Sequence, residues 1–167
     1  MTRQRHAPRP QPDTVATRGA PVLATIVVLL FLGLTALPSG VVMLVGGTDV
    51  FPAEWVDAFP VIDSLVLPGL VLLLGFGVGS LLTAYAVLRR PAWPVLDLVE
   101  RWTDHHWSWL ATLLLGAGQV VWIALELAYL DTVSFLQPFY GAIGLLLLLL
   151  PATRSVRGWL RPSPVRG

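Results

Sequence analysis

Apolar residues in this chain gather into four long blocks, roughly Val22 to Gly46, Leu65 to Leu88, Trp109 to Leu130 and Val133 to Ala152. They are continuous runs rather than short periodic stripes. Each is long enough to cross a bilayer, which takes about 20 residues of helix. The pattern predicts an all-α membrane protein: a four-transmembrane-helix bundle with helices at about 22–46, 65–88, 109–130 and 133–152. The transmembrane domain spans residues 21–153. Residues 1–20 read as a disordered basic tail, since their Pro- and Arg-rich sequence lacks the apolar surface to fold alone, and residues 154–167 read as a second basic tail.

The loops between the blocks predict short amphipathic interfacial helices. In the loop after the second block, Val95, Leu98, Val99 and Trp102 recur at helical spacing against Asp97, Glu100, Arg101, Asp104 and His105. In the loop after the first block, PAEWVDAF places a proline at a plausible first helical position, with Trp55 and Phe59 set to face the membrane. Six of the seven tryptophans (Trp55, Trp93, Trp102, Trp107, Trp109 and Trp159) fall at block ends, where an aromatic belt is expected. Only Trp122 lies deep.

Composition agrees with the pattern. Of 167 residues, 55% are hydrophobic and 13% charged, where a soluble domain carries about 25% charged residues. There is no cysteine, which excludes disulfides, thiolate nucleophiles and zinc–thiolate sites. All eleven basic residues are arginines. They occupy the first, third and fifth non-membrane segments. The second segment instead carries Asp49, Glu54, Asp57 and Asp63. The positive-inside rule then places both termini and the middle loop in the cytoplasm, as a multi-pass protein of a bacterial plasma membrane. The first block is too long for the apolar region of a cleaved signal peptide, so it reads as a retained helix.

Small residues supply packing surfaces. Gly75 and Gly79 form a G-x-x-x-G pair, expected to pack within the bundle, with a homodimer face as its other use. Pro38, followed by Ser39 and Gly40, predicts a kink in the first helix.

Glu126 is the one charged residue well inside a block. A carboxyl at membrane depth is costly, so it needs a partner, a proton or a role. Gln119 lies seven residues before it and Trp122 four before it, which sets all three near one helix face. Matching depths across the short turn after Leu130 brings Gln137 level with Glu126, and Tyr140 near Trp122. The expected cluster is therefore Glu126, Gln119, Gln137, Trp122 and Tyr140. A Glu126–Gln137 hydrogen bond would make it interhelical glue, whereas water access would make it a proton or ligand site. His105 and His106 are adjacent and cannot share a helix face as an i, i+4 metal pair. No catalytic, nucleotide-binding or metal motif is present, and no cofactor or nucleic acid is expected.

The pattern of Gln119, Trp122, Glu126, Leu136, Gln137, Tyr140 and Gly141 resembles small four-span integral membrane proteins of actinobacteria. That resemblance covers about a quarter of the chain and implies fold and topology but no reaction. The expected function is that of a non-enzymatic accessory or small-ligand-binding membrane protein, with a small proton-coupled transporter using Glu126 as the alternative.

Overall fold

The computed structural model describes residues 19–50, 64–130 and 134–161. Residues 1–18 and 162–167, the PAEWVDAF segment and the turn at Asp131 and Thr132 lie outside them. Among the described residues every regular element is helical. Three helices are long and apolar enough to cross a membrane: Ala20–Gly46 within α1, Val66–Arg89 (α2) and Trp107–Tyr129 (α4). The fourth apolar segment, Leu136–Ala152, is shorter. It consists of α5 (Leu136–Leu149) and one turn of 3-10 helix (Leu150–Ala152).

Helix α1 (Ala20–Val50) runs for 31 residues through Pro38. Proline has no N–H to give the preceding turn. Beside it, Ser39 Oγ donates to the Thr35 carbonyl at 2.9 Å, and Thr35 Oγ1 donates to the Phe31 carbonyl at 3.0 Å. Hydroxyls thus turn back onto the backbone where the regular ladder is interrupted.

Helix α2 contains an eight-residue π-helical stretch, Val71–Val78. Its i→i+5 bonding takes more residues per turn than the 3.6 of an α-helix. Gly69 and Gly77, eight apart, consequently both meet α1. A Cβ on Gly69 would lie 2.9 Å from Leu44 Cγ, and one on Gly77 would lie 2.8 Å from Leu37 Cδ2. From the other side, a Cβ on Gly40 would lie 2.6 Å from the Leu73 backbone nitrogen. The G-x-x-x-G pair does not serve this contact. A Cβ on Gly75 would meet only Val71 of its own helix, at 3.9 Å, and one on Gly79 would make ordinary contact with Leu115 of α4 at 3.7 Å.

Helix α4 packs most extensively on α5, α2 bridges to α4, and α5 closes back on α1 along a looser seam. The α4–α5 backbones approach at Gly116 and Gly144, where a Cβ on Gly116 would lie 2.9 Å from the Gly144 carbonyl oxygen. Between α2 and α4 lies the short helix α3 (Asp97–Thr103), led by a 3-10 turn at Pro94–Leu96. It leaves Val95, Leu98 and Trp102 exposed, which is the apolar face its spacing predicts.

The two ends of the molecule differ. The fully buried side chains Val22, Leu29, Val87, Leu147, Val156 and Leu160 gather where α1 begins and where α2 and α5 finish. The chain there continues past residue 153 into a short helix, α6 (Arg154–Trp159), so the folded body reaches further than the hydropathy pattern predicts. Val156 and Leu160 are its anchors.

A set of aromatic and polar side chains ties off this end. Trp109 Nε1 donates to the Pro151 carbonyl at 3.0 Å, and Trp159 Nε1 to the Val87 carbonyl at 2.9 Å. His106 caps α4, its Nδ1 accepting from Ser108 N at 3.3 Å, while Nε2 sits 3.2 Å from the Pro91 carbonyl and 3.6 Å from Glu100 Oε1. An Nδ1 that accepts puts the proton on Nε2, which is therefore the donor to Pro91. Arg90 ends α2 with φ of 49°, a conformation costing an arginine about 1–2 kcal/mol. Its guanidinium offsets this by donating to the Trp159 carbonyl at 2.9 Å while lying 4.6 Å from the ring centroid of Trp159. Trp107, Trp109 and Trp159 are thus at the predicted boundary but turned inward, whereas Trp93 and Trp102 are exposed.

Candidate functional site

At the opposite end the helices part around a cavity of about 320 Å³. Its walls come from the second half of α1, from the last turns of α4, from the first turn and a half of α5, and from Leu72 in the π stretch of α2. Ser39, Ser134 and Leu136 on its lining are exposed, so it is open rather than sealed. Glu126, Gln119, Gln137, Trp122 and Tyr140 all line it.

Glu126 and Trp122 are one helical turn apart on α4, and Trp122 Nε1 donates to Glu126 Oε1 at 2.6 Å. The indole is held from behind by an edge-to-face contact with Phe76 of α2, with centroids 6.2 Å apart. The carboxylate is therefore oriented by a ring that is itself packed. Among the described residues Glu126 is the only acidic residue lining the cavity, no basic residue lines it, and Glu126 has no ion-pair partner. It also sits in the last turn of α4, where its own carbonyl accepts from Leu130 N. The negative end of the helix dipole is there, so a carboxylate costs the helix about 0.3–1 kcal/mol rather than stabilising it.

Gln119 is only 4% exposed, lines the cavity, and has no hydrogen-bond partner among the described residues. Among the described residues the buried side-chain atoms left without a partner are Ser80 Oγ, His105 Nε2 and Trp107 Nε1, so the Gln119 amide is not sealed away and is reached from the cavity. Tyr140 packs its ring on Phe31 (6.4 Å) and Phe139 (5.4 Å), which closes the α1–α5 seam beside the cavity.

The expected bond between Gln137 and Glu126 is not formed. Gln137 Oε1 accepts from Ser134 N at 2.7 Å and from Ser134 Oγ at 2.8 Å, and Leu136 N donates to Ser134 Oγ at 3.2 Å. This is a capping box: Ser134-Phe135-Leu136-Gln137 meets the orphan donors at the start of α5 from both ends of the motif. The S-x-x-Q spacing ahead of an apolar run is legible in the sequence and assigns Gln137 to the helix start. Thr35 and Ser39 of α1 also line the cavity. The hydropathy pattern does not single them out, because hydroxyls in an apolar helix satisfy themselves locally and leave no periodic mark. The described residues hold no group of three or more His, Cys, Asp or Glu able to bind a metal ion.

No protein-family model matches this chain, and no match to it is found among curated proteins or solved structures.

Proposed function

We propose that the chain is a four-span plasma-membrane protein with both termini in the cytoplasm, and that it binds a small ligand in a cavity facing outward. The observation that carries this reading is an open cavity lined by Gln119, whose amide makes no hydrogen bond among the described residues, together with the carboxylate of Glu126. The asymmetry of the body supports it: the arginine-bearing end is closed by core and cap, and the other end is hollow. Among the described residues Glu126 bonds Trp122 on its own helix, which supports a binding role over interhelical glue.

Ligand binding is checked by thermal unfolding against a panel of small molecules. A compound that occupies the cavity at 100 times its Kd adds about 2.7 kcal/mol to stability. Ligands of this site should raise the melting temperature of the native chain and not that of Ala36→Phe, which fills the cavity from α1. Compounds that shift both proteins equally would place the site elsewhere.

Orientation is tested with single cysteines, since the chain has none of its own. Ser134→Cys should react with an impermeant thiol reagent in intact cells, and Arg154→Cys only after the membrane is opened. The reverse pattern would overturn the topology.

The unpaired state of Glu126 also favours a second reading, a small proton-coupled transporter. In liposomes, Glu126→Gln would then keep its melting temperature and lose gradient-driven flux of a ligand found as above. Undiminished flux would leave binding alone.

A further inference from the structure

We propose that the cavity takes a small organic cation: an ammonium group carried on an apolar body. The inference rests on the ligand-binding reading above and adds the chemistry of the ligand.

The charge pattern comes first. Among the described residues Glu126 contributes the one formal charge on the lining. Its Oε1 is already engaged by Trp122, which leaves the second carboxylate oxygen for a ligand. The described arginines are Arg89, Arg90, Arg101, Arg154, Arg157 and Arg161, none of which lines the cavity. An anionic ligand would therefore meet repulsion from Glu126 and no counter-charge. A cation would meet the reverse, strengthened by apolar walls that keep the local dielectric low.

The wall chemistry separates organic from inorganic cations. Calcium takes about six to eight oxygen ligands and magnesium demands a near-ideal octahedron, and one carboxylate with one amide supplies neither. The space is also too large for a bare ion. Leu32, Ala36, Met43 and Ile123 face it instead and offer burial to an apolar body. Trp122 and Tyr140 add aromatic rings, which attract an ammonium lying within about 6 Å of a ring centroid. Gln119, with its amide unpaired, supplies an acceptor for an N–H or a donor for a polar substituent. A ligand with a charged head and a lipophilic body would satisfy the carboxylate, the amide and the hydrophobic wall together.

The test uses the full chain in lipid nanodiscs, which expose both faces, with a cysteine at Ser39 on the cavity wall. Modification by a trimethylammonium-bearing methanethiosulfonate is compared with that by its sulfonate analogue, each rate divided by the rate with free 2-mercaptoethanol. A negative, low-dielectric cleft should favour the cation about tenfold or more. In a Glu126→Gln background the ratio should fall to near one. Benzyltrimethylammonium should slow the modification, whereas benzyl alcohol and benzenesulfonate at the same concentration should not.

Brisk modification with no charge preference, or equal protection by all three benzyl compounds, would overturn the cation and leave an open cavity that takes a neutral ligand. Preference for the sulfonate would overturn it too. No modification by either reagent would overturn the open cavity itself, and the present inference with it. Met43→Cys, a second position on the same wall, carries the identical measurement where Ser39→Cys does not fold.

Discussion

Replacing Gly40 with leucine is expected to separate α1 from α2 and to leave no monodisperse protein in detergent. The reason is what a side chain would strike. A Cβ at this position would fall 2.6 Å from the backbone nitrogen of Leu73 and 2.8 Å from its Cα. Backbone atoms cannot rotate out of the way, so the helices must move apart. The neighbouring contacts at Gly33, Gly69 and Gly77 would loosen together, because all four glycines set the same interhelical spacing. Even Gly40→Ala should cost about 1–3 kcal/mol, the usual range for overpacking a close contact. Thermal unfolding in detergent reads this directly. Gly75→Leu is the matched control: its position opens outward, so melting should stay within about 0.5 kcal/mol of the native chain. Equal destabilisation at the two positions would show that the glycine-mediated seam is misassigned. A change in oligomeric state at Gly75 with unchanged melting would point to a second copy on that exposed face.

His106→Ala is expected to loosen the arginine-bearing end. The imidazole both caps α4 and meets the Pro91 carbonyl that follows α2. Loss of a helix cap costs about 0.5–2 kcal/mol and an unmet acceptor about 1–3 kcal/mol, so the combined loss should be about 1.5–5 kcal/mol. His106→Asn separates the contributions, because an asparagine carbonyl can take the place of Nδ1 as acceptor but cannot span to Pro91. Its loss should be clearly smaller than that of alanine. Equal losses would mean that capping contributes nothing and that what both variants lose, the Pro91 contact and packing against Trp107, accounts for the effect.

The helices were legible in the sequence because hydropathy blocks and helix length report the same thing, namely how much chain a bilayer can hold. What the blocks could not report was direction around each helix. In α2 apolar residues occur on every side, so no stripe distinguishes a turn of 3.6 residues from the wider π turn. Assuming the former makes Gly75 and Gly79 neighbours on a packing face; with the latter, Gly69 and Gly77 take that place. Tryptophan at block ends is similarly mute, since a ring in lipid and a ring donating to the Val87 or Pro151 carbonyl look alike in sequence. For the cavity, the depth of Glu126, Gln119, Trp122, Gln137 and Tyr140 followed from counting residues, and all five do line one space. The pairing of Gln137 did not follow, because a local donor three residues away competes ahead of a carboxyl on another helix. Ser134 was the residue to weigh there.

The brevity of α5 has a consequence for the lipid around it. From Leu136 to Ala152 the segment rises only about 26 Å at about 1.5 Å per residue, against about 30 Å of hydrocarbon. In the four-span arrangement proposed above, that mismatch is absorbed by thinning of the bilayer beside α5, at a fraction of a kcal/mol per Å. Ser134 and Leu136 stand at the short end of this helix and also on the cavity lining. Headgroups drawn inward there would bring the interface down to the cavity mouth. The thickness of the host membrane, and not only the protein, would then set how readily the site is reached.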